Sequence, residues 1–256
     1  MDTESQPQRN RSSLLNQLIA AIRFLSIIPM PGASSASSRT LAEAIPVFPV
    51  VGALIGALLV LVGLAAGWLW NDSVRAVAVV LAWGMLTAGL HLDGLSDTFD
   101  GVMSWRPREQ KLEIMHDSRI GVMGALALAA ILGLKMVLLA SAGAGLSTLI
   151  VAPALGRWAM CYGLCRCPSA RADGLGAAVQ AQSTPAAMRG ATIIAAVMAL
   201  AIAGLRGAVA LALVWLAARA LAQWWVRDLG GLTGDTYGAL CEITEVVALA
   251  ALTARL

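Results

Sequence analysis

The chain has 256 residues, of which 59% are hydrophobic and only 13% are charged, whereas a soluble domain carries about 25% charged residues. This composition excludes a water-soluble globular fold, because the excess apolar side chains must face lipid. A nucleic-acid-binding protein is excluded as well, since the formal net charge is only +3 and the basic residues are scattered.

Long apolar runs predict an all-α fold, a polytopic integral membrane helical bundle forming a single domain over residues 1–256. The runs reach about twenty residues, the length that spans a bilayer as helix, and they lack the short alternating pattern of barrel strands. Residues 1–13 form a polar N-terminal tail that shows no removable signal peptide. Residues 14–30 are too short to span, and their polar members Asn16 and Arg23 share one helical face. We expect an amphipathic interfacial or re-entrant helix there.

The transmembrane bundle is predicted over residues 46–254 and contains about seven helices. The loop GASSASSRT precedes the first of them, and the second is expected to continue without a break into the segment DGLSDTFDG. The small-residue run GALIGALL suits helix packing, either within the chain or between copies. The predicted spans are about 46–70, 74–92, 120–142, 146–164, 190–205, 208–226 and 237–252.

The distribution of Lys and Arg predicts a cytoplasmic N-terminus, because cytoplasmic loops retain the positive charge. Twelve of the 18 basic residues, Arg9 and Arg11 among them, fall on the N-terminal side of the membrane. The opposite side holds only Arg75, Arg206 and Arg255. We therefore expect a multi-pass protein of the cell inner membrane with its N-terminus inside.

Asp93, Asp97 and Asp100 lie four and three residues apart, which stacks their carboxylates on one face of a helix at a membrane boundary. Like charges at such spacing are tolerated when a divalent cation lies between them. Hard oxygen ligands of this kind favour Mg²⁺, Ca²⁺ or Mn²⁺. The orientation brings Asp235 to the same membrane face as this acidic cluster.

Further polar residues are expected near this acidic cluster. Glu242 and Glu245 lie three residues apart inside the last span. Ionisable groups are costly inside a membrane, so a functional role for both is the first interpretation. The alternative is that they form structural ion pairs with Arg157 or Arg219. Arg157, inside the fourth span, is either a phosphate contact or a counter-ion for one of these glutamates. The third span begins with a group suited to bind phosphate through backbone N–H groups and a guanidinium, formed by Asp117, Ser118 and Arg119.

Acidic metal ligands beside anion-binding groups indicate a membrane phosphotransferase. The metal neutralises developing charge, and a carboxylate takes a proton from the attacking hydroxyl. A cation or proton transporter is the competing class, since buried carboxylates also mark ion pathways. The placement of the acids argues against a transporter, because they cluster at one membrane face and not across the middle of the membrane. A membrane scaffold is the third class, and it would not depend on these acids.

The blocks HLDGLSDTFDG, LEIMHDSRIG, GGLTGDTYGALCEITE and RFLSIIP together resemble the adenosylcobinamide-GDP ribazoletransferase family, also called cobalamin synthase. The resemblance covers nearly the whole chain. It implies a Mg²⁺-dependent membrane enzyme that joins adenosylcobinamide-GDP to α-ribazole or its 5′-phosphate and releases GMP. Other enzymes of cobalamin synthesis and a second copy of the chain are the partners left open.

The resemblance also implies roles for the residues already singled out. Asp97 and Asp100 are the catalytic candidates, and Asp100 is the first choice for the general base. Asp93, Asp97, Asp100 and Asp235 would hold the metal. Substrate binding would fall to Asp117, Ser118, Arg119, Arg157, Glu242 and Glu245, and a second metal at the two glutamates is the alternative.

Overall fold

The computed structural model describes residues 13–31, 36–141 and 145–254. Within these ranges the chain is all-α, as predicted, and β pairing is limited to one parallel bridge between Ser169 and Leu232. The predicted polar tail lies outside the described residues except for Ser13, as do Arg9, Arg11 and Arg255. The helices are α1 (Leu14–Leu25), α2 (Ser38–Ala44), α3 (Phe48–Leu69), α4 (Asp72–Leu86), α5 (Leu90–Val102), α6 (Arg108–Ile114), α7 (Val122–Ala140), α8 (Leu146–Arg166), α9 (Leu175–Gln182), α10 (Pro185–Leu229) and α11 (Gly234–Thr253).

The described helices fit a multi-pass membrane bundle. Five stretches are long and apolar enough to cross a membrane, and α4 with α5 passes the same test as a bent pair. The two most buried of these helices are α8 and α11. In each, 83% of the most apolar stretch lies inside the protein, so they form the centre of the bundle. The five stretches are Ser38–Leu69, Val122–Ala140, Leu146–Arg166, Pro185–Leu229 and Gly234–Thr253.

The 45 residues of α10 do not form one straight helix. At a rise of 1.5 Å per residue they would extend about 68 Å, more than twice the hydrocarbon thickness of a bilayer. Gly204 has the non-helical angles φ 57° and ψ −136°. A Cβ at Gly207 would overlap the backbone carbonyl of Ala199, so the two arms fold back on each other. The arms correspond to the predicted spans 190–205 and 208–226. When the two arms are counted separately, and α4 with α5 as one span, the described residues contain seven candidate spans.

The prediction that the second span continues unbroken into DGLSDTFDG is wrong. The axes of α4 and α5 differ by 89°. Ala88 and Gly89 adopt the left-handed angles φ 52° and φ 68°, and the Thr87 hydroxyl donates to the Gly84 carbonyl at 3.1 Å. The aspartates of this segment therefore lie on a separate short helix that turns sharply away from α4.

Three short helices, α2, α6 and α9, were not predicted, and α2 occupies the end of the segment interpreted as a loop. The middle one, α6, is tied to the end of α10. Lys111 Nζ donates to Asp228 Oδ1 at 2.6 Å, and Arg108 Nε donates to the Leu229 carbonyl at 2.6 Å. These contacts hold the charged segment against the bundle and place the DSRIG loop that follows it.

The GALIGALL run of α3 packs within the chain, against α8. A Cβ at Gly52 would overlap the Pro153 carbonyl oxygen, and one at Gly56 would overlap that of Leu149. Glycines four residues apart let the two backbones approach closely, as small residues do in membrane helix pairs. Of the two uses predicted for this run, the structure places it in packing inside one copy.

Candidate active site

The short helix α5 lies across the start of α11, and two glycines make the close crossing possible. A Cβ at Gly94 would lie 2.7 Å from the Asp235 carbonyl oxygen. A Cβ at Gly238 would lie 3.1 Å from the His91 carbonyl oxygen. This crossing brings the aspartates of DGLSDTFDG beside Asp235, the neighbour predicted from topology alone.

Asp97 is the centre of the acidic group. Its half-buried carboxylate interacts electrostatically with those of Asp93, Asp235 and Asp100. Among the described residues, no three His, Cys, Asp or Glu side chains are placed so that they could hold a metal ion together. Mg²⁺ does not need three such ligands, since it binds through one or two carboxylates, waters and substrate phosphates. The all-oxygen donors around Asp97 fit an open site of that kind.

Asp100 has a different environment from the other acids, because it caps the N-terminus of α7. Its Oδ2 accepts the Gly121 N–H at 2.7 Å, and its Oδ1 accepts the Gly124 N–H at 2.9 Å. These two backbone donors were expected to face a phosphate. The carboxylate occupies them instead, which links α5 to α7 directly.

In the DSRIG loop, Arg119 and Asp117 form an ion pair at the surface. Arg119 Nη2 lies 2.5 Å from Asp117 Oδ2, and Nε lies 2.9 Å from Oδ1. The hydrogen bonds from Arg119 lower the pKa of Asp117 to about 2, so this carboxylate is ionised at neutral pH. Ser118 between them is exposed. Their predicted contact with a phosphate stays a prediction.

Arg171 is a residue that the sequence did not single out for the site. Its Nη1 lies 3.8 Å from Asp235 Oδ2, and its Nη2 donates to the Leu112 carbonyl at 3.1 Å. It belongs to the loop after α8, which meets the segment before α11 through the Ser169–Leu232 bridge. In the sequence, Arg171 looks like any other basic loop residue, so only its position in the fold reveals its contact with the acidic group.

Glu242 and Glu245 belong to a buried ion network with Lys135. Lys135 Nζ donates to Glu242 Oε2 at 2.7 Å and to Glu245 Oε2 at 2.5 Å. The same ammonium group lies 4.2 Å from the centre of the Trp83 ring. All three charged residues are at most 2% exposed. The two glutamates are thus paired with Lys135, which the structural alternative did not name, whereas Arg219, which it did name, lines a separate cavity.

Arg157 completes this network as a counter-ion. Its Nη1 donates to Glu245 Oε1, and its Nη2 lies 3.4 Å from His91 Nδ1. The guanidinium is completely buried. Of the two roles left open for Arg157, the structure supports the counter-ion, and two cations balance two anions inside the bundle.

A cavity of about 670 Å³ opens beside the acidic group, between α1, the break before α5, and α7. Asp93, Ser96 and Arg23 line it together with apolar residues of α1 and α7. The Ser96 hydroxyl is buried and has no hydrogen-bond partner within the described parts of the chain. Buried hydroxyls are normally hydrogen-bonded, so Ser96 is a candidate contact for a ligand in this cavity. Neither Ser96 nor Arg23 was a predicted site residue, although both lie in the blocks HLDGLSDTFDG and RFLSIIP.

The fold and this one-sided acidic site define a multi-pass membrane protein whose candidate reaction centre lies at one end of its helical bundle. A sequence model of the cobalamin-5-phosphate synthase family matches residues 17–253. The chain therefore belongs to this family and is an enzyme, a transferase of cobalamin biosynthesis.

Curated relatives carry a consistent name. The chain is 60% identical over 234 residues to an adenosylcobinamide-GDP ribazoletransferase of Roseiflexus sp., covering 91% of this chain and 87% of the relative. It is 43% identical to the enzyme of that name from Herpetosiphon aurantiacus, covering 94% and 97% of the two chains. The enzyme from Desulforamulus reducens is 40% identical, with 91% and 94% covered. No solved structure matches the chain.

Proposed function

We propose that this enzyme transfers the phosphoryl-linked cobinamide of adenosylcobinamide-GDP to α-ribazole or α-ribazole 5′-phosphate. A ribose hydroxyl of the ribazole attacks the phosphorus on the cobinamide side of the diphosphate. An oxygen–phosphorus bond forms, the bond to the GMP oxygen breaks, and the hydroxyl proton passes to a carboxylate. The placement of Asp93, Asp97 and Asp235 on crossing helices beside a cavity is the observation that carries the proposal.

Asp97 together with Asp93 or Asp235 would hold Mg²⁺, since no three acids among the described residues are placed to hold a metal together. When bound there, the ion would neutralise the diphosphate of the substrate. Asp97 is the better general base of the two catalytic candidates, because both oxygens of Asp100 accept backbone hydrogen bonds from α7. A base must reach the proton that it removes, and Asp97 stays half-exposed among the other acids.

The cavity supplies binding groups of complementary chemistry. Arg23 is suited to the anionic diphosphate, and the free hydroxyl of Ser96 can bond a polar atom of the substrate. Arg119 would join them on release from Asp117. The apolar wall formed by α1 and α7 suits the large corrin ring system, which needs apolar contact beside its polar edge.

The site would face the cytoplasm, and the protein would lie in the cell inner membrane with its N-terminus inside. The excess of Lys and Arg at the membrane face of Asp97 supports this orientation. The transporter alternative has less support, because Lys135 and Arg157 neutralise Glu242 and Glu245 in a closed network.

The test is product formation by purified protein in lipid vesicles, with adenosylcobinamide-GDP and α-ribazole 5′-phosphate as substrates and Mg²⁺ titrated. We expect GMP and the joined corrinoid to appear in equal amounts and to rise with Mg²⁺. A parallel reaction with unphosphorylated α-ribazole identifies the preferred acceptor. Folded protein that yields neither product, but moves cations in sealed vesicles, would overturn the proposal.

A further inference from the structure

A second cavity lies on the other side of the bundle, between α8 and the two arms of α10. It has a volume of about 730 Å³ and is lined by three arginines, Arg166, Arg189 and Arg219, together with aromatic side chains. Within the described residues, no carboxylate forms an ion pair with any of these arginines. Three exposed cations on apolar helices therefore face one opening without a protein counter-charge.

The arginines lie at the membrane face of the acidic site. Arg166 ends α8, and the loop that follows carries Arg171, which contacts Asp235. The aromatic rings of Trp158 and Tyr162 lie 6.3 Å apart in the same cavity. Tryptophan and tyrosine occupy the headgroup level of a bilayer, so this opening lies where phospholipid phosphates lie.

An apolar groove continues from this opening towards the middle of the membrane. It has a volume of about 310 Å³, shares Trp158, Thr192 and Trp215 with the first cavity, and extends to Leu200 and Leu211 between the arms of α10. From Arg189 to Leu200 the helix rises about 16 Å. This length is close to the hydrocarbon thickness of one leaflet, about 15 Å.

We infer that this composite cavity binds one anionic phospholipid of the same leaflet, with its phosphate at the arginines and an acyl chain in the apolar groove. The charge complementarity selects the headgroup, because arginine binds phosphate through paired hydrogen bonds. Basic pockets between transmembrane helices bind anionic lipids in this way. The bound lipid would also neutralise Arg219, whose side chain is exposed on an apolar span.

Native mass spectrometry of the whole protein, released from bilayers of mixed phosphatidylglycerol and phosphatidylcholine, tests the inference. We expect one retained phosphatidylglycerol, and about fivefold weaker retention for each arginine removed, so Arg189→Gln with Arg219→Gln should lose most of it. Arg227→Gln is the matched control, because Arg227 is exposed on the same arm of α10 as Arg219 but lies outside the cavity. Its retention should equal that of the unmodified protein.

A second variant tests the groove without touching the charges. Ala212→Phe places a ring among the residues that line it, so the lipid should be lost while thermal unfolding in detergent is unchanged. Equal retention of phosphatidylcholine, or full retention in the double arginine variant, would overturn the inference. Displacement of the lipid by inorganic phosphate or by adenosylcobinamide-GDP would do so too, by assigning the arginines to a soluble anion or to the substrate.

Discussion

Asp100 on α5 accepts the backbone N–H of Gly121 at 2.7 Å, and this single contact joins two helices at the acidic end of the bundle. The other carboxylate oxygen of Asp100 accepts the Gly124 N–H at 2.9 Å. Asp97, one turn earlier on the same helix, lies among other carboxylates instead. Two aspartates three residues apart thus have different physical roles, and replacing them should have different effects.

Asp100→Ala should destabilise the protein by about 0.5–2 kcal/mol, the usual cost of losing a helix cap. The first turn of α7 loses its acceptor, and DSRIG is no longer held beside α5. Thermal unfolding in detergent measures the change. Asp72→Ala is the control, because Asp72 is an exposed acid in the first turn of α4 and pairs only at the surface with Arg75. Full stability of Asp100→Ala combined with lost Mg²⁺ binding would return Asp100 to the metal site.

Asp97→Asn should lower turnover by a factor of about 10² or more, as expected for loss of a general base or metal ligand. Folding should be unaffected, because the substitution removes repulsion from Asp93 and Asp235. Product assays with Mg²⁺ titration give the activity, and Mn²⁺ binding followed by electron paramagnetic resonance gives the metal affinity. An Asp97→Asn enzyme that is active and still responds to metal contradicts the assignment.

Much of this fold can be predicted from the sequence, because apolar run length determines which segments span a membrane. The runs predict α3, α7, α8, α11 and the two arms of α10. The break at Ala88 and Gly89 cannot be predicted this way, since alanine rarely adopts a left-handed conformation and nothing in the pattern marks it. The tertiary contacts of α5 with α7 and α11 stabilise that conformation.

The site is predictable to the same degree. Helical spacing and topology predict that Asp93, Asp97 and Asp235 lie near one another, and their carboxylates do interact electrostatically, while their roles stay predictions. The pairing of Lys135 with Glu242 and Glu245 is another matter, because Lys135 lies 107 and 110 residues away from them and the contact depends on how α7 packs on α11. A lone lysine in an apolar span is a signal for a buried partner, but it does not identify that partner.

Gly56→Ala should destabilise the bundle by about 1–3 kcal/mol, the usual cost of overpacking. The added Cβ would overlap the Leu149 carbonyl oxygen and force α3 away from α8. Gly133→Ala is the matched control within an apolar helix, since a Cβ there meets nothing within 4 Å. It should be neutral or stabilise α7 by up to about 1 kcal/mol. Equal unfolding temperatures for the two variants would contradict the close α3–α8 contact.

Lys135→Met should be among the most destabilising single substitutions, at about 3–5 kcal/mol, because it leaves Glu242 and Glu245 buried with one cation for two anions. The double variant Lys135→Met with Glu242→Gln restores the charge balance, since Arg157 still pairs with Glu245. It should therefore recover most of the stability in thermal unfolding. Arg75→Met breaks the exposed pair with Asp72 and should cost less than about 1 kcal/mol. If the double variant unfolds as early as Lys135→Met alone, charge balance does not explain the network, and the ammonium contact with Trp83 becomes the stabilising interaction.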